Sequence, residues 1–208
     1  MSDPTGTAQH VNLMDPAGGR ISIMLANGSP DLEFDARAMR RSMAEADVMV
    51  VDLAPWTPRA VPVAVASGRA IWTDLHDHDG TSSWHAPFID PAEVVFVSHD
   101  RLPDPGTFLG SLIDRGKRFA VCTMGAQGAI ALDAERRWYE VLAEPDVEIV
   151  DTNGAGDAFV AGVLFGVLDG ASLERALRYG AVAGALATTS RDLASAELTA
   201  AHLRATAI

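Results

Sequence analysis

Apolar residues change their spacing several times along this chain, and each change predicts an element. His10 to Leu25 holds two short strand-like runs, Val11–Met14 and Arg20–Leu25, around the turn-forming Asp15-Pro16-Ala17-Gly18-Gly19, the pattern of a hairpin. Asp35 to Ala46 sets Ala36, Met39, Met43 and Ala44 on one helical face. Asp47–Leu53 is then a continuous apolar run of the kind that fills a buried strand, Thr57–Ser67 reads as a helix, and Ala70–Leu75 as a strand. After a polar loop, His76 to Trp84, come strand Glu93–Val97, helix Pro105–Arg115 and strand Arg118–Thr123. Strands alternating with helices imply a parallel sheet covered by helices. Gly128–Leu132, Arg136–Leu142 and Val147–Val150 follow closely enough to be antiparallel additions at a sheet edge. Three helices close the chain at Ala155–Leu168, Ser172–Thr189 and Ser195–Ala205, with Ser172 and Ser195 as N-caps.

Composition narrows this picture without redrawing it. The chain has 208 residues, room for one domain of ordinary size or slightly more, and its 48% hydrophobic content supplies a core. A formal charge of −12 is repelled by phosphate backbones and anionic lipid, which argues against nucleic acid or a membrane surface as partner. The single cysteine, Cys122, excludes an intrachain disulfide and a cysteine-based zinc site. Its place in Phe119-Ala120-Val121-Cys122 predicts a buried structural thiol, in keeping with a reducing cytoplasm. Met1 to Gln9 reads as a disordered end without the pattern of a signal peptide. Ala158 to Leu168, the longest apolar stretch, is too short to span a bilayer; Gly162 and Gly166 within it predict close helix–sheet packing.

The segment with most chemistry is Val150-Asp151-Thr152-Asn153-Gly154-Ala155-Gly156-Asp157-Ala158-Phe159. A strand-like run ends where an apolar helix begins, and glycines let the backbone turn sharply and approach a ligand. The first N–H groups of a helix lack intrahelical acceptors, and with the helix dipole they form an anion site able to stabilise a transferring phosphoryl group. Asp157, in the first turn, is placed to accept a proton from an attacking hydroxyl. From the local pattern alone, Asp157 and Asp151 serve equally well as caps of the turn. No lysine follows the glycines, so this is not a P-loop.

Asp151-Thr152-Asn153-Gly154-Ala155-Gly156-Asp157-Ala158-Phe159 closely resembles the C-terminal signature of the ribokinase-like (PfkB) carbohydrate kinases. Thr123-Met124-Gly125-Ala126-Gln127-Gly128-Ala129 resembles that family's nucleotide-contacting turn. Asp47–Leu53, Trp72-Thr73-Asp74 and Val94–Ser98 resemble successive core strands, and the likeness covers residues 10 to 205. It implies an α/β ribokinase-like fold, with a mostly parallel central sheet flanked by helices on both faces and residues 10–25 as the remnant of a small β lid. It implies ATP with Mg²⁺ as phosphoryl donor and a sugar, nucleoside or related alcohol as acceptor. It implies Asp157 as base, the N–H groups of Gly154, Ala155 and Gly156 as anion hole, and Thr123, Gly125, Gly128 and Asn153 near the nucleotide. Asp151 would lie by a monovalent cation such as K⁺.

Two departures accompany the resemblance. Family members are longer, with an N-terminal Gly-Gly signature for the sugar, whereas here the lid-like hairpin follows Met1 almost at once. An exposed lid and sheet edge would favour a homodimer. Where many members carry Asn-x-x-Glu, this chain has Ser98-His99-Asp100-Arg101, leaving either Asp100 as the substitute Mg²⁺-associated carboxylate or Arg101 as a direct phosphate contact instead. These departures support a second reading, a nucleotide-binding protein without catalysis or a fragment acting with a partner. His76-Asp77-His78-Asp79 and His85 are expected in a solvated loop near the mouth of the site, with a role by acceptor or phosphate as second choice and a metal site as third. Trp56, Trp72, Trp84 and Trp138 read as packing residues, Trp84 being the one best placed to meet a ligand.

Overall fold

The computed structural model describes residues 3, 5–14 and 20–206. The turn residues Asp15 to Gly19 lie outside them. Strands β1 (Gln9–Met14) and β2 (Arg20–Ala26) pair antiparallel, with Val11 opposite Ile23 and Leu13 opposite Ile21. These four side chains share one face and are all exposed. The chain then runs through α1 (Ala36–Glu45), β3 (Val48–Val50), α2 (Thr57–Ala66), β4 (Ala70–Asp74), α3 (Ala86–Ile89), β5 (Val94–Ser98), α4 (Pro105–Asp114) and β6 (Phe119–Thr123). It ends with β7 (Ala129–Asp133), β8 (Trp138–Val141), α5 (Ala155–Leu168), α6 (Leu173–Thr188) and α7 (Ala200–Thr206).

Strands β3 to β8 form one six-stranded sheet in sequence order. β3 to β6 are parallel; β7 and β8 add antiparallel at the edge. The continuous apolar runs have their cause in this position, because both faces of the central strands are covered. Along β5, Val95 and Val97 point to a layer built from Ala64 of α2, Phe88 of α3 and Leu109, Leu112 and Ile113 of α4. Val94 and Phe96 point to the opposite layer, with Phe159, Val160 and Val163 of α5 and Ala176, Leu177 and Ala181 of α6. Burying a residue such as Phe96 or Leu109 fully contributes about 1.5–3 kcal/mol relative to leaving it exposed. Thr73, buried in β4, donates its hydroxyl to the Val51 carbonyl at 2.8 Å, so its polar atom carries no desolvation penalty. Cys122 is fully buried, and burial pushes its thiol up to about 11.

Three sequence-based expectations change. Val147–Val150 is not a strand. The N–H groups of Val150 and Asp151 bond instead to the Thr188 carbonyl at the end of α6, at 2.8 and 3.1 Å, satisfying an acceptor that a helix C-terminus leaves open. The last helix starts at Ala200, where Thr199 Oγ1 accepts the His202 N–H at 3.1 Å; Ser195 closes only a local turn with Glu197. Ser172 does cap α6, accepting from the Arg175 N–H at 3.3 Å. Gly162 and Gly166 pack against a helix rather than the sheet: a Cβ on Gly162 would lie 2.5 Å from the Tyr179 carbonyl of α6, and one on Gly166 would lie 2.7 Å from the Ala176 Cα. The small residues let α5 and α6 approach closely and fix where α5 begins. No helix among the described residues is long and apolar enough to cross a membrane.

Candidate active site

The turn before α5 is held at both ends. Upstream it is anchored on Thr188, and within it the Asp151 carboxylate accepts the Asn153 N–H at 2.8 Å. Gly154, at the N-cap, has φ +81°, and a Cβ there would come within 2.6 Å of the Leu193 carbonyl. Only glycine meets both conditions without strain. Ala155 donates its N–H to the Thr152 carbonyl at 3.3 Å, a long bond that leaves the donor weakly held. Gly156 is exposed, with open space where its Cβ would be, so a ligand can approach the backbone closely. Asp157 follows in the first turn of α5 with its side chain exposed.

Facing Asp157 is the carboxyl end of β4. Ligand-type atoms of Asp74, His76 and Asp157 lie within 4.8 Å of one another. His76 has φ +50°, uncommon for a residue with a side chain. Its backbone is fixed twice: the N–H donates to Asp74 Oδ1 at 2.9 Å, and the carbonyl accepts the Ser98 N–H of β5 at 2.6 Å. The ring lies between carboxylates, with Nε2 3.1 Å from Asp52 Oδ1 and Nδ1 3.6 Å from Asp74 Oδ2. The hydrogen bond to Asp52, with the charges of Asp74, Asp52 and Asp157, holds the imidazole up at about 9 against the opposing effect of burial. Hydrogen bonding from His76 lowers Asp52 in turn, whereas burial pushes Asp74 up. Held above its ordinary value by these neighbours, the ring favours its cationic form at neutral pH, with an N–H donor on each nitrogen.

The row continues across the sheet. Ser98 ends β5 and lies opposite Thr123 at the end of β6, and the His99 N–H donates to the Thr123 carbonyl at 2.9 Å. Beyond Thr123 the chain makes a tight turn, Met124 N–H to Gly128 carbonyl at 2.7 Å, through Gly125 at φ +56° and Gly128 at φ +92°. A Cβ on Gly128 would lie 2.0 Å from the Val141 carbonyl, so this position admits no side chain. Asp100 is exposed, with His99 Nδ1 at 3.4 Å, and Arg101 pairs loosely with Asp77 at 3.6 Å. Asp157, Asp74, His76, Ser98 and Thr123 thus form a continuous line at the carboxyl edge of the parallel strands, where open α/β sheets bind ligands.

The structure brings the Gly154–Asp157 turn to this edge and puts Thr123, Gly125, Gly128 and Asp100 farther along it. The sequence does not single out Asp52 and Asp74 as site residues, and it places His76 first in a solvated loop, with a role by acceptor or phosphate as second choice. The available signal was that Asp52 and Asp74 both follow the apolar runs of adjacent strands. The expected solvated loop is only partly so. His76 is half-exposed, but His78 is 3% exposed, packed on Phe108 with its Nδ1 3.0 Å from His85 Nδ1. Burial lowers both imidazoles, and one proton shared between the two nitrogens suits that distance. Trp72 is buried against Phe96 and Phe119, whereas Trp84 is half-exposed over His85 and Phe88.

Residues 106–200 match the model of the pfkB family carbohydrate kinases. Acarbose 7(IV)-phosphotransferase of an Actinoplanes species is 39% identical over 197 residues, covering 88% of this chain and 63% of that protein. The solved structure of a microbiome-derived acarbose kinase superposes with a TM-score of 0.82 at 31% identity, over 97% of this chain and 69% of the other. The chain belongs to the pfkB family of carbohydrate kinases. Its fold is ribokinase-like: Arabidopsis thaliana ribokinase, solved with ribose and ATP, shares it with a TM-score of 0.76 at 16% identity, over 97% of this chain and 69% of that one. The chain thus spans less than two thirds of the length of the acarbose phosphotransferase and 69% of the acarbose kinase. The part matched by the family model carries Thr123, Gly125, Gly128 and the Asp151–Asp157 turn; Asp52, Asp74, His76 and Asp100 precede it.

Proposed function

We propose that this pfkB-family chain transfers the γ-phosphoryl group of ATP to a hydroxyl of a sugar or related small alcohol, with Asp157 as general base. One observation carries the reading: an exposed carboxylate in the first turn of α5, directly after a glycine-bounded turn and at the carboxyl edge of the sheet. The acceptor oxygen attacks the γ-phosphorus as its proton passes to Asp157, and the bond to the leaving ADP oxygen breaks with its electron pair. The N–H groups of Gly154, Ala155 and Gly156, aligned with the dipole of α5, lie against the charge that builds on the transferring oxygens. Thr123, Gly125, Gly128 and Asn153 flank the nucleotide in this reading. Gly128 supports that role because the turn it closes is packed against the end of β8 and cannot shift aside.

Mg²⁺ fits the donor set, since the Asp100 carboxylate is a hard oxygen ligand open to solvent, with only His99 Nδ1 beside it at 3.4 Å. Bound with the nucleotide, the ion would neutralise phosphate charge. Asp151, with one oxygen already held by the Asn153 N–H, is the carboxylate assigned to a monovalent cation such as the potassium named with Vibrio cholerae fructokinase. Acarbose heads the acceptors to try, because two relatives are described as acting on it. A second copy of the chain would cover the exposed face of Val11, Leu13, Ile21 and Ile23, and a cytoplasmic setting suits both the ATP donor and the buried, reduced Cys122. The test is ADP release with acarbose, simple sugars and nucleosides as acceptors, with Asp157→Asn as control. Transfer that survives the substitution undiminished overturns the assignment of the base.

A further inference from the structure

We propose that His76 is a positioning residue for phosphoryl transfer, its ring clamped between Asp52 and Asp74 and facing Asp157, whose carboxylate it fixes at the mouth of the phosphate turn. This inference rests on the reading of Asp157 as base.

The geometry around the ring is built for a fixed cation. Three carboxylates from three elements converge on it: Asp52 after β3, Asp74 at the end of β4 and Asp157 in α5. Without a positive charge among them, Asp74 and Asp157 would repel: Asp157 opposes the ionisation of Asp74, and both favour the protonation of His76. The His76 backbone is held in the left-handed region by its N–H, which donates to the Asp74 carboxylate, and by its carbonyl, which accepts the Ser98 N–H, while the ring nitrogens face Asp52 and Asp74. A side chain held at positive φ between neighbours that over-determine it is the kind of local strain that persists at functional sites. With its nitrogens turned to Asp52 and Asp74, the ring offers Asp157 a nearby charge, within 4.8 Å, in place of a mobile water or cation. The other titratable group that senses His76 is His85, whose own proton affinity the His76 charge lowers. A positioning group of this kind acts on kcat rather than on nucleotide binding, and it acts only while charged. Activity should fall as pH rises past the titration of the ring, at about 9.

Histidine-ring NMR titration and pH–rate profiles on wild type, Asp52→Asn, His76→Gln and Asp157→Asn test this. The ring of His76 is expected to titrate near 9 in wild type, about one unit or more lower in Asp52→Asn, and measurably lower in Asp157→Asn. The alkaline limb of kcat should move down with the ring in Asp52→Asn, and His76→Gln should lose about tenfold to a hundredfold in kcat with little change in KM for ATP. A ring titration unmoved by Asp157→Asn, or an alkaline limb that stays in place when Asp52→Asn lowers the ring, overturns the proposal. A merely structural histidine would lower Tm in His76→Gln and leave that limb where it was. The base reading fails separately, through turnover that survives Asp157→Asn, and the ring titrations decide the clamp whatever the turnover is.

Discussion

Gly128→Ala is the sharpest structural test of the proposed nucleotide turn. At φ +92° and ψ −129° the backbone lies outside the regions open to residues with a side chain. The added methyl would also stand 2.0 Å from the Val141 carbonyl, 2.8 Å from the Ala143 N–H and 2.9 Å from the Leu142 carbonyl carbon, all backbone atoms at the end of β8. None is a side-chain tip that can step aside. Backbone strain of about 1–3 kcal/mol and overpacking of about 1–3 kcal/mol together predict a loss of about 2–6 kcal/mol. For a chain of this size that is a fall in Tm of at least about 4 °C. Gly125→Ala is the matched control: φ is +56°, inside the small left-handed region, and nothing lies within 4 Å of the new methyl, so the cost is about 1 kcal/mol. Urea unfolding of both variants, with ATP binding followed by calorimetry, measures the difference. If Gly128→Ala matches Gly125→Ala to within about 0.5 kcal/mol, the close approach of the turn to β8 is not real and its role in shaping the nucleotide site falls with it.

Two further expectations concern titrating groups. Cys122, buried and held up at about 11, should resist a thiol reagent at pH 8 in the native protein and react at once in guanidinium chloride; prompt native labelling would show that the sheet core is open. The Asp52–His76 pair raises the folded-state proton affinity of the imidazole, so its contribution is fully present below the unfolded value of about 6.5 and is lost as pH rises through about 9. Both side chains are more than a third exposed, so the contribution is at most about 1 kcal/mol. Urea unfolding of wild type and Asp52→Asn should therefore differ at pH 6 and converge at pH 10; a gap that persists at pH 10 would contradict the pairing.

Much of this site can be read in the chain before any coordinates. The Asp151–Asp157 segment announces itself because glycine, the cap and the first-turn carboxylate are local features, set by neighbours in sequence. The central strands are legible because burial on both faces demands unbroken apolar runs. What local pattern does not carry is adjacency across the sheet. Asp52 and His76 meet because β3 and β4 are parallel neighbours, and Asp157 joins them because α5 crosses back over the other face. The His76–Trp84 stretch looks solvated from its polarity, yet His78 is buried because Phe108 of α4 gives its ring an apolar seat. Val147–Val150 fails for a related reason. Its apolar residues resemble a strand, but Ile149 and Val150 stay half-exposed and their segment is pinned by the end of α6, a partner that lies some forty residues ahead.

The central claim is that Asp157 takes the proton as phosphate moves to an acceptor hydroxyl. The most direct measurement is initial-rate ADP formation by wild type and Asp157→Asn with ATP, Mg²⁺ and acarbose, checked by mass spectrometry of the acceptor. The account predicts a phosphorylated acceptor from wild type and a loss of about 10²–10⁴-fold in kcat for the variant with nucleotide affinity kept. Equal rates from the two proteins would contradict it. Nucleotide binding without transfer to any sugar or nucleoside would contradict it equally, in favour of a binding protein that has kept the turn and lost the reaction.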